Sequence, residues 1–197
     1  MGSSRHHPTV LASRAPDAGP CFLMIRDATE SDVPAILAIY NDVLATSTAI
    51  FSDHPTTLED RLQWFRARRE AGYPVLVADE GAGVLGFGSF GDFRSWPGYR
   101  HTVEHSVHVR TDARGRGVGR ELVGVLLDRA ARLGKHVMVA GVDAQNLVSI
   151  HMHEQLGFQQ VGKLHQVGCK FGRWLDLTFL ERRLDDRPEP PPGARAG

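Results

Sequence analysis

The chain has 197 residues, 42% hydrophobic and 23% charged, enough for one domain with a sizeable core. Lys and Arg number 23 and Asp and Glu 23, so the formal charge is zero and no bulk attraction to nucleic acid or to an acidic membrane is implied. Two cysteines, Cys21 and Cys169, argue against a disulfide scaffold and fit a reducing, cytoplasmic setting, and no apolar run approaches the ~18 residues of a membrane span.

Residues 1–20 are rich in Ser, Arg, Pro, Gly and His and read as a disordered leader, His6 and His7 included. The domain is expected over 21–184, with Met24 as a candidate alternative start. Residues 185–197 carry four prolines and read as a disordered tail. Residues 22–26 form a first strand. Thr29-Glu30-Ser31-Asp32 then offers cap residues, with Pro34 tolerated in a first helical turn, and Val33, Ile36, Leu37 and Tyr40 recur at helical spacing. A Thr/Ser-rich link, 46–51, leads to Thr57 and Asp60, a cap opening a second helix that runs to about Ala71. Arg61, Arg66, Arg68 and Arg69 on that helix read as a solvated face.

Strands are expected at 74–79, 84–93 and 102–110, with a turn at Gly81-Ala82-Gly83. Residues 92–99 form a loop crowded with aromatics, either a satellite packing cluster or a binding wall. A helix over 120–133 turns Leu122, Val125, Leu126 and Ala130 inward and stops at Gly134. A buried strand at 136–142, a helix at 146–156 ended by Gly157, and strands at 158–165 and 174–182 complete a mixed α/β layer structure.

The third of those strands carries the most chemistry. It passes through the polar turn Arg110-Thr111-Asp112-Ala113 into Arg114-Gly115-Arg116-Gly117-Val118-Gly119, and at once into a helix. Strand, basic glycine loop and helix start build a phosphate cradle, because glycine lets backbone N–H groups approach an anion and the helix N-terminus adds partial positive charge. A plain tight connection is the other reading. Gly119 is followed by Arg120-Glu121, not by the Lys-Ser/Thr of a Walker loop, and the glycine spacing is wrong for a dinucleotide fingerprint. Alternation sets Glu104, Ser106 and His108 on one face and Val103, His105, Val107 and Val109 on the other. A carboxylate in such a strand is paired, exposed at an edge, or functional, since an unpaired buried charge is costly. His101, His105 and His108 invite a metal reading, but His105 and His108 diverge across the strand and His151 and His153 diverge on a helix, so no metal site is expected.

Arg114, Gly117 and Gly119 match the Arg/Gln-x-x-Gly-x-Gly/Ala loop of the Gcn5-related N-acetyltransferases (GNAT). With Thr102-Val103-Glu104-His105-Ser106-Val107 before it, NLVSIHMHEQLGF at 146–158 and KFGRWLDLT at 170–178, the chain over roughly 24–184 resembles the phosphinothricin and methionine sulfoximine acetyltransferase branch. The resemblance implies an α/β GNAT fold, with a mixed, mostly antiparallel central sheet splayed at the cofactor strand and flanked by helices. It implies acetyl-CoA as co-substrate, without a metal. The implied acceptor is a small amino-acid analogue (phosphinothricin, methionine sulfoximine or methionine sulfone), acetylated on its α-amine by direct attack in a ternary complex. A homodimer formed through the late strands is implied as well; no nucleic-acid or membrane partner is expected.

By the same resemblance Glu104 is the general base, directly or through water. The backbone of Val107, His108 and Val109 pairs with the pantetheine arm, and Arg114, Gly115, Arg116, Gly117, Val118, Gly119 and Arg120 receive the pyrophosphate. Asn146 hydrogen-bonds the arm, with helix capping as its alternative role. His153 stands where the wider superfamily carries a Tyr that protonates the departing thiolate; packing is its alternative. The acceptor falls to Phe51, Arg94, Ser95, Trp96, Glu104, His105 and Ser106, with Arg suited to gripping a carboxylate bidentately. Phe51 replaces another aromatic, commonly Trp, and His54 an acidic residue, which leaves substrate preference open. Asp176 is a candidate partner for Arg173 or Lys170. Two other readings stand beside this one. Arg94 and the aromatic loop argue against a protein N-terminal or ribosomal-protein acetyltransferase, and Glu104 with His153 argues against a non-catalytic acyl-CoA sensor.

Overall fold

The computed structural model describes residues 23–191 except position 82. The leader expected over 1–20, Cys21, Phe22 and residues 192–197 of the expected tail lie outside the described residues. The described residues form a seven-stranded sheet in the order β1-β2-β3-β4-β5-β7-β6. The strands are β1 (Met24–Asp27), β2 (Val75–Asp79), β3 (Val84–Asp92), β4 (Thr102–Val109), β5 (Val137–Asp143), β6 (Gln159–Lys170) and β7 (Arg173–Arg183). All neighbours are antiparallel except β4 and β5, which run parallel because α3 (Val118–Arg132) carries the chain across between them.

Two layers of helix cover the sheet, and the period-2 rule sorts its side chains between them. In β2, Leu76 and Ala78 join the cluster under α3 and α4 (Leu147–Gln155), while Val75 and Val77 join the cluster under α1 (Val33–Thr46) and α2 (Leu58–Glu70). Glycines in β3 set how closely α3 seats. A Cβ on Gly88 would stand 2.8 Å from Val107 Cγ2 and 3.0 Å from Leu126 Cδ1, so the helix packs where no side chain intervenes.

Local signals act as expected at most ends. The Thr57 hydroxyl accepts from Asp60 N–H and the Asp60 carboxylate accepts from Thr57 N–H, a reciprocal cap on α2. The helix α3 begins at Val118, two residues before its expected start, because Gly117 at φ +82° serves as its N-cap. In α1, Ile39 takes the fully buried place expected for Leu37. The solvated face expected on α2 is corrected for two of its four arginines. Arg61 is 7% exposed, and Arg68 lies over Gly91, where a Cβ would meet its guanidinium. Asp176 pairs with Lys163 at 3.0 Å and accepts from Gln166 N–H, not with Arg173 or Lys170.

Candidate active site

The parallel ladder between β4 and β5 is short. It joins Thr102 to Val137, Val103 to Met138 and Glu104 to Val139, and then stops. Beyond that point β4 continues to Val109, paired only with β3, and β5 continues to Asp143, paired only with β7. The facing edges of His105–Val109 and of 140–143 therefore carry main-chain N–H and C=O groups without ladder partners, lining a V-shaped opening. Glu104 sits at its apex. The glycine loop and the N-terminus of α3 close its wide end, where the N–H groups of Gly117, Val118, Gly119 and Arg120 have no intrahelical acceptor.

The loop has the shape of an anion cradle. Gly115 and Gly117 lie at φ +74° and +82°, and nothing stands within 4 Å of a Cβ built on either. Only backbone conformation requires glycine there. Arg114 is exposed, and Arg116 is ion-paired with Glu80 at the rim. A Cβ built on Gly119 would meet only ordinary contacts, 3.5 Å to Met152 Sδ and 3.6 Å to Val109 Cγ2. Asn146 caps α4, accepting from Ser149 N–H at 3.1 Å through Oδ1. No hydrogen bond engages its side-chain NH2 among the described residues.

Glu104 is half-buried, and its carboxylate makes no hydrogen bond or ion pair among the described residues. Burial raises its pKa above the usual carboxylate value, and the positive charge of Arg94 opposes that rise. Room for it comes from β5, because a Cβ on Gly141 would lie 3.1 Å from Glu104 Oε1. Arg94 is exposed, lies 4.0 Å over the Phe93 ring and donates to the Phe93 carbonyl at 2.7 Å. The aromatic loop is divided. Phe93 packs edge-on against Tyr99 and Phe179, whereas Trp96 is 74% exposed and Ser95 also faces solvent.

His105 lies on the other face from Glu104 and Ser106, buried against α4. There it stacks on His153, with Nε2 to Nε2 at 3.2 Å. His153 Nδ1 donates to the Ser149 carbonyl at 2.7 Å. This fixes the tautomers: His153 Nε2 is a lone-pair acceptor, His105 Nε2–H donates to it, and His105 Nδ1 is left buried without a partner. Burial pushes the His105 pKa down to about 3 and lowers that of His153 too, against the pull of its bond to the Ser149 carbonyl, so both rings are neutral at neutral pH. Neither nitrogen of His153 has a free N–H.

The connection between α1 and α2 roofs the Glu104 face, and distant residues hold it. Lys170, 2% exposed, donates from Nζ to the carbonyls of Leu44, Ser47 and Ile50 at 2.6, 2.9 and 2.8 Å. Thr48 hydrogen-bonds the buried Asp143 at the end of β5. Phe51 packs on Gly168, whose missing side chain leaves space for the ring. Sequence reasoning missed Lys170, Asp143, Gly141 and the His105–His153 contact. The one available signal was a charged residue closing an otherwise apolar strand, as Asp143 does.

Residues 36–158 match the model of the acetyltransferase (GNAT) family, and the chain belongs to that family. It is 53% identical over 162 residues (82% of this chain, 94% of the relative) to an L-methionine sulfoximine/L-methionine sulfone acetyltransferase of Pseudomonas paraeruginosa. It is 51% identical over 168 residues to the L-amino acid N-acyltransferase MnaT of Escherichia coli, covering 85% of this chain and 98% of that one. Among solved structures, a Salmonella typhimurium acetyltransferase determined with its cofactor acetyl-CoA superposes with a TM-score of 0.85 at 48% identity, covering 87% of this chain and 99% of the other. Among the described residues no cluster of three or more His, Cys, Asp or Glu could hold a metal ion, and no helix is long and apolar enough to cross a membrane.

Proposed function

We propose that this enzyme moves acetyl from acetyl-CoA to the α-amine of a small amino-acid analogue, with methionine sulfoximine and methionine sulfone as the preferred class. The observation that carries the reading is the β4–β5 ladder ending at Glu104, which sets a half-buried carboxylate at the apex of an opening whose far end is a glycine-lined helix N-terminus. Acetyl-CoA, when bound, supplies an activated thioester carbonyl. The unpaired edge at Val107, His108 and Val109 suits an extended amide-bearing arm, which would add to the sheet as a strand does. Residues 114–120 present backbone N–H groups and arginines to a pyrophosphate, and the Asn146 side-chain NH2 is a further donor at the opening.

Glu104 takes the proton that the substrate ammonium must lose, because an amine of pKa ~8–10.4 is mostly protonated at neutral pH and cannot attack. The raised pKa of Glu104 makes it a stronger proton acceptor than a surface carboxylate. The amine nitrogen then bonds to the carbonyl carbon as the carbon–sulfur bond breaks. An N–H on the open β4 edge stabilises the oxygen. Arg94 leaves the Phe93 carbonyl to grip the substrate carboxylate, with Ser95, Trp96, Phe51 and Ser106 around it. His153, expected as the proton donor, has no N–H to give in this arrangement, so we assign it and His105 to holding β4 against α4. The nitrogen's second proton leaves as the amide forms and passes, through solvent or Glu104, to the leaving thiolate, so that a neutral amide and a thiol result.

The test is a thiol-release assay with acetyl-CoA across methionine sulfoximine, methionine sulfone, phosphinothricin, free amino acids and peptides. Acetylation of peptides in preference to every free amino acid would sink the acceptor assignment, and no release with any amine would sink the enzyme reading. We also infer a homodimer, supported by exposed Val161, Leu164, Val167 and Trp174 on the last two strands; sedimentation equilibrium tests it. We further infer a cytoplasmic placement, supported by the scarcity of cysteine, and cell fractionation tests that.

A further inference from the structure

On the α1/α2 face lies a cavity of about 370 Å³ walled by Tyr40, Trp64, Phe87, Ser106, His108 and Arg61, of which Ser106 and the main chain of His108 have a role above. Arg61 is the unusual member. Its Cζ lies 3.8 Å from the Tyr40 ring centroid and 4.8 Å from that of Trp64. Among the described residues it forms no ion pair, and its Nε is buried without a partner. Burial lowers its pKa, and Tyr40 and Asp60 offset only part of that. Asp60 also lines the cavity, but its carboxylate is committed to the Thr57 N–H and hydroxyl in the cap of α2. His108 Nδ1, in the same wall, has no partner either. Burial and the neighbouring Arg61 hold that imidazole's pKa down to about 4, so at neutral pH it adds no charge.

A guanidinium removed from water is costly unless something anionic or strongly dipolar answers it. Two orphaned polar groups in one aromatic-walled cavity therefore mark a place for a polar ligand group. The cavity reaches the candidate active site at Ser106. Ser106 shares the face of Glu104 and lies two residues along the strand, roughly 6.6–6.8 Å away. That span matches an amino acid whose α-amine meets Glu104 and whose side-chain oxygens stand a few bonds farther on.

We propose that this cavity receives the acceptor side chain, and that Arg61 selects termini bearing oxygens, such as a sulfone, a sulfoximine or a phosphinate. The proposal rests on the acetyltransferase reading of the Glu104 site. Its test compares kcat/KM for methionine sulfone and methionine, which differ only in two oxygens on sulfur. In Arg61→Met the apolar stem is kept and the charge removed, and the sulfone-to-methionine ratio should fall tenfold or more, chiefly through KM for the sulfone. Arg61→Lys, which keeps a charge without the planar fork, should fall between. A ratio unchanged in both variants, or equal losses on both substrates, overturns the proposal. The unmodified enzyme gives an arm that needs no substitution. Ornithine, which would bring a second cation to Arg61, should be acetylated on its α-amine at least tenfold less efficiently than norvaline, and equal rates overturn the proposal. Failure of the wider reading looks different, because the unmodified enzyme would then release no thiol with any of these amines.

Discussion

Lys170→Met removes the single ammonium that holds the roof of the active site. The three carbonyls it satisfies are Leu44, Ser47 and Ile50, the first two at the C-terminal end of α1, where a cation also complements the helix dipole. Methionine keeps the volume and loses all three bonds. The bond to Leu44 is fully buried, so its carbonyl is left unsatisfied at ~1–3 kcal/mol. The other two are partly buried and can recruit water, at ~0.5–1 kcal/mol each. Against this stands the relief of no longer burying a charge, which already lowers the pKa of Lys170. The net expectation is about 2–4 kcal/mol, or a fall in Tm of roughly 5–15 °C for a chain of this size. Because Ile50 and Phe51 ride on the same connection, KM for the acceptor should rise more than KM for acetyl-CoA. Urea unfolding gives the first number and initial-rate kinetics the second. A loss below about 0.5 kcal/mol, or equal changes in both KM values, would refute the idea that Lys170 organises this roof.

Glu104→Gln should lower the acetylation rate at neutral pH by ~10² or more, with acetyl-CoA affinity retained and part of the loss recovered at high pH where the amine is already free; full activity at pH 7 would reduce Glu104 to a structural role. Gly117→Ala should weaken CoA binding, because a Cβ at φ +82° is strained and would shift the loop backbone that meets the anion, while Gly119→Ala, which meets only ordinary contacts, should be tolerated; calorimetric titration separates the two. Arg94→Ala should raise KM for free amino acids by ~1.5–3 kcal/mol while decarboxylated amines lose little more, and equal losses on both would make Arg94 a loop support. Acid stability should follow the buried histidines. Their pKa values are depressed in the folded state, so the unfolded chain binds protons first, and stability present above pH ~6.5 is lost as pH falls toward about 4, by up to ~1.4 kcal/mol per unit per histidine. Urea midpoints at pH 7.5 and 5.0 that coincide would show that these rings are not buried neutral.

What was legible in the sequence is what neighbours along the chain decide. The Thr57–Asp60 cap, the alternation that sets Glu104, Ser106 and His108 on one face of β4, the glycine loop entering α3 and the Asn146 cap all depend on residues within a few positions of one another. Steric limits on φ and the periods of helix and strand act at that range, so pattern alone recovers them. The same rules failed where the partner is remote. Arg61 has the spacing of a solvated helix arginine, and only the approach of α1 and β3 encloses it. Lys170 stands near enough to Asp176 in sequence to suggest a pair, yet its acceptors lie 120 to 126 positions earlier in the chain. His105 and His153 were each assigned to opposite-facing sets, and they meet because α4 crosses behind β4. The sequence by itself determined the strands, the helices and the local shape of the cradle. Where the β4–β5 ladder ends, which charges are buried and what holds the roof were decided by tertiary packing, because burial and hydrogen-bond satisfaction are properties of surfaces brought together and have no periodic trace along the chain.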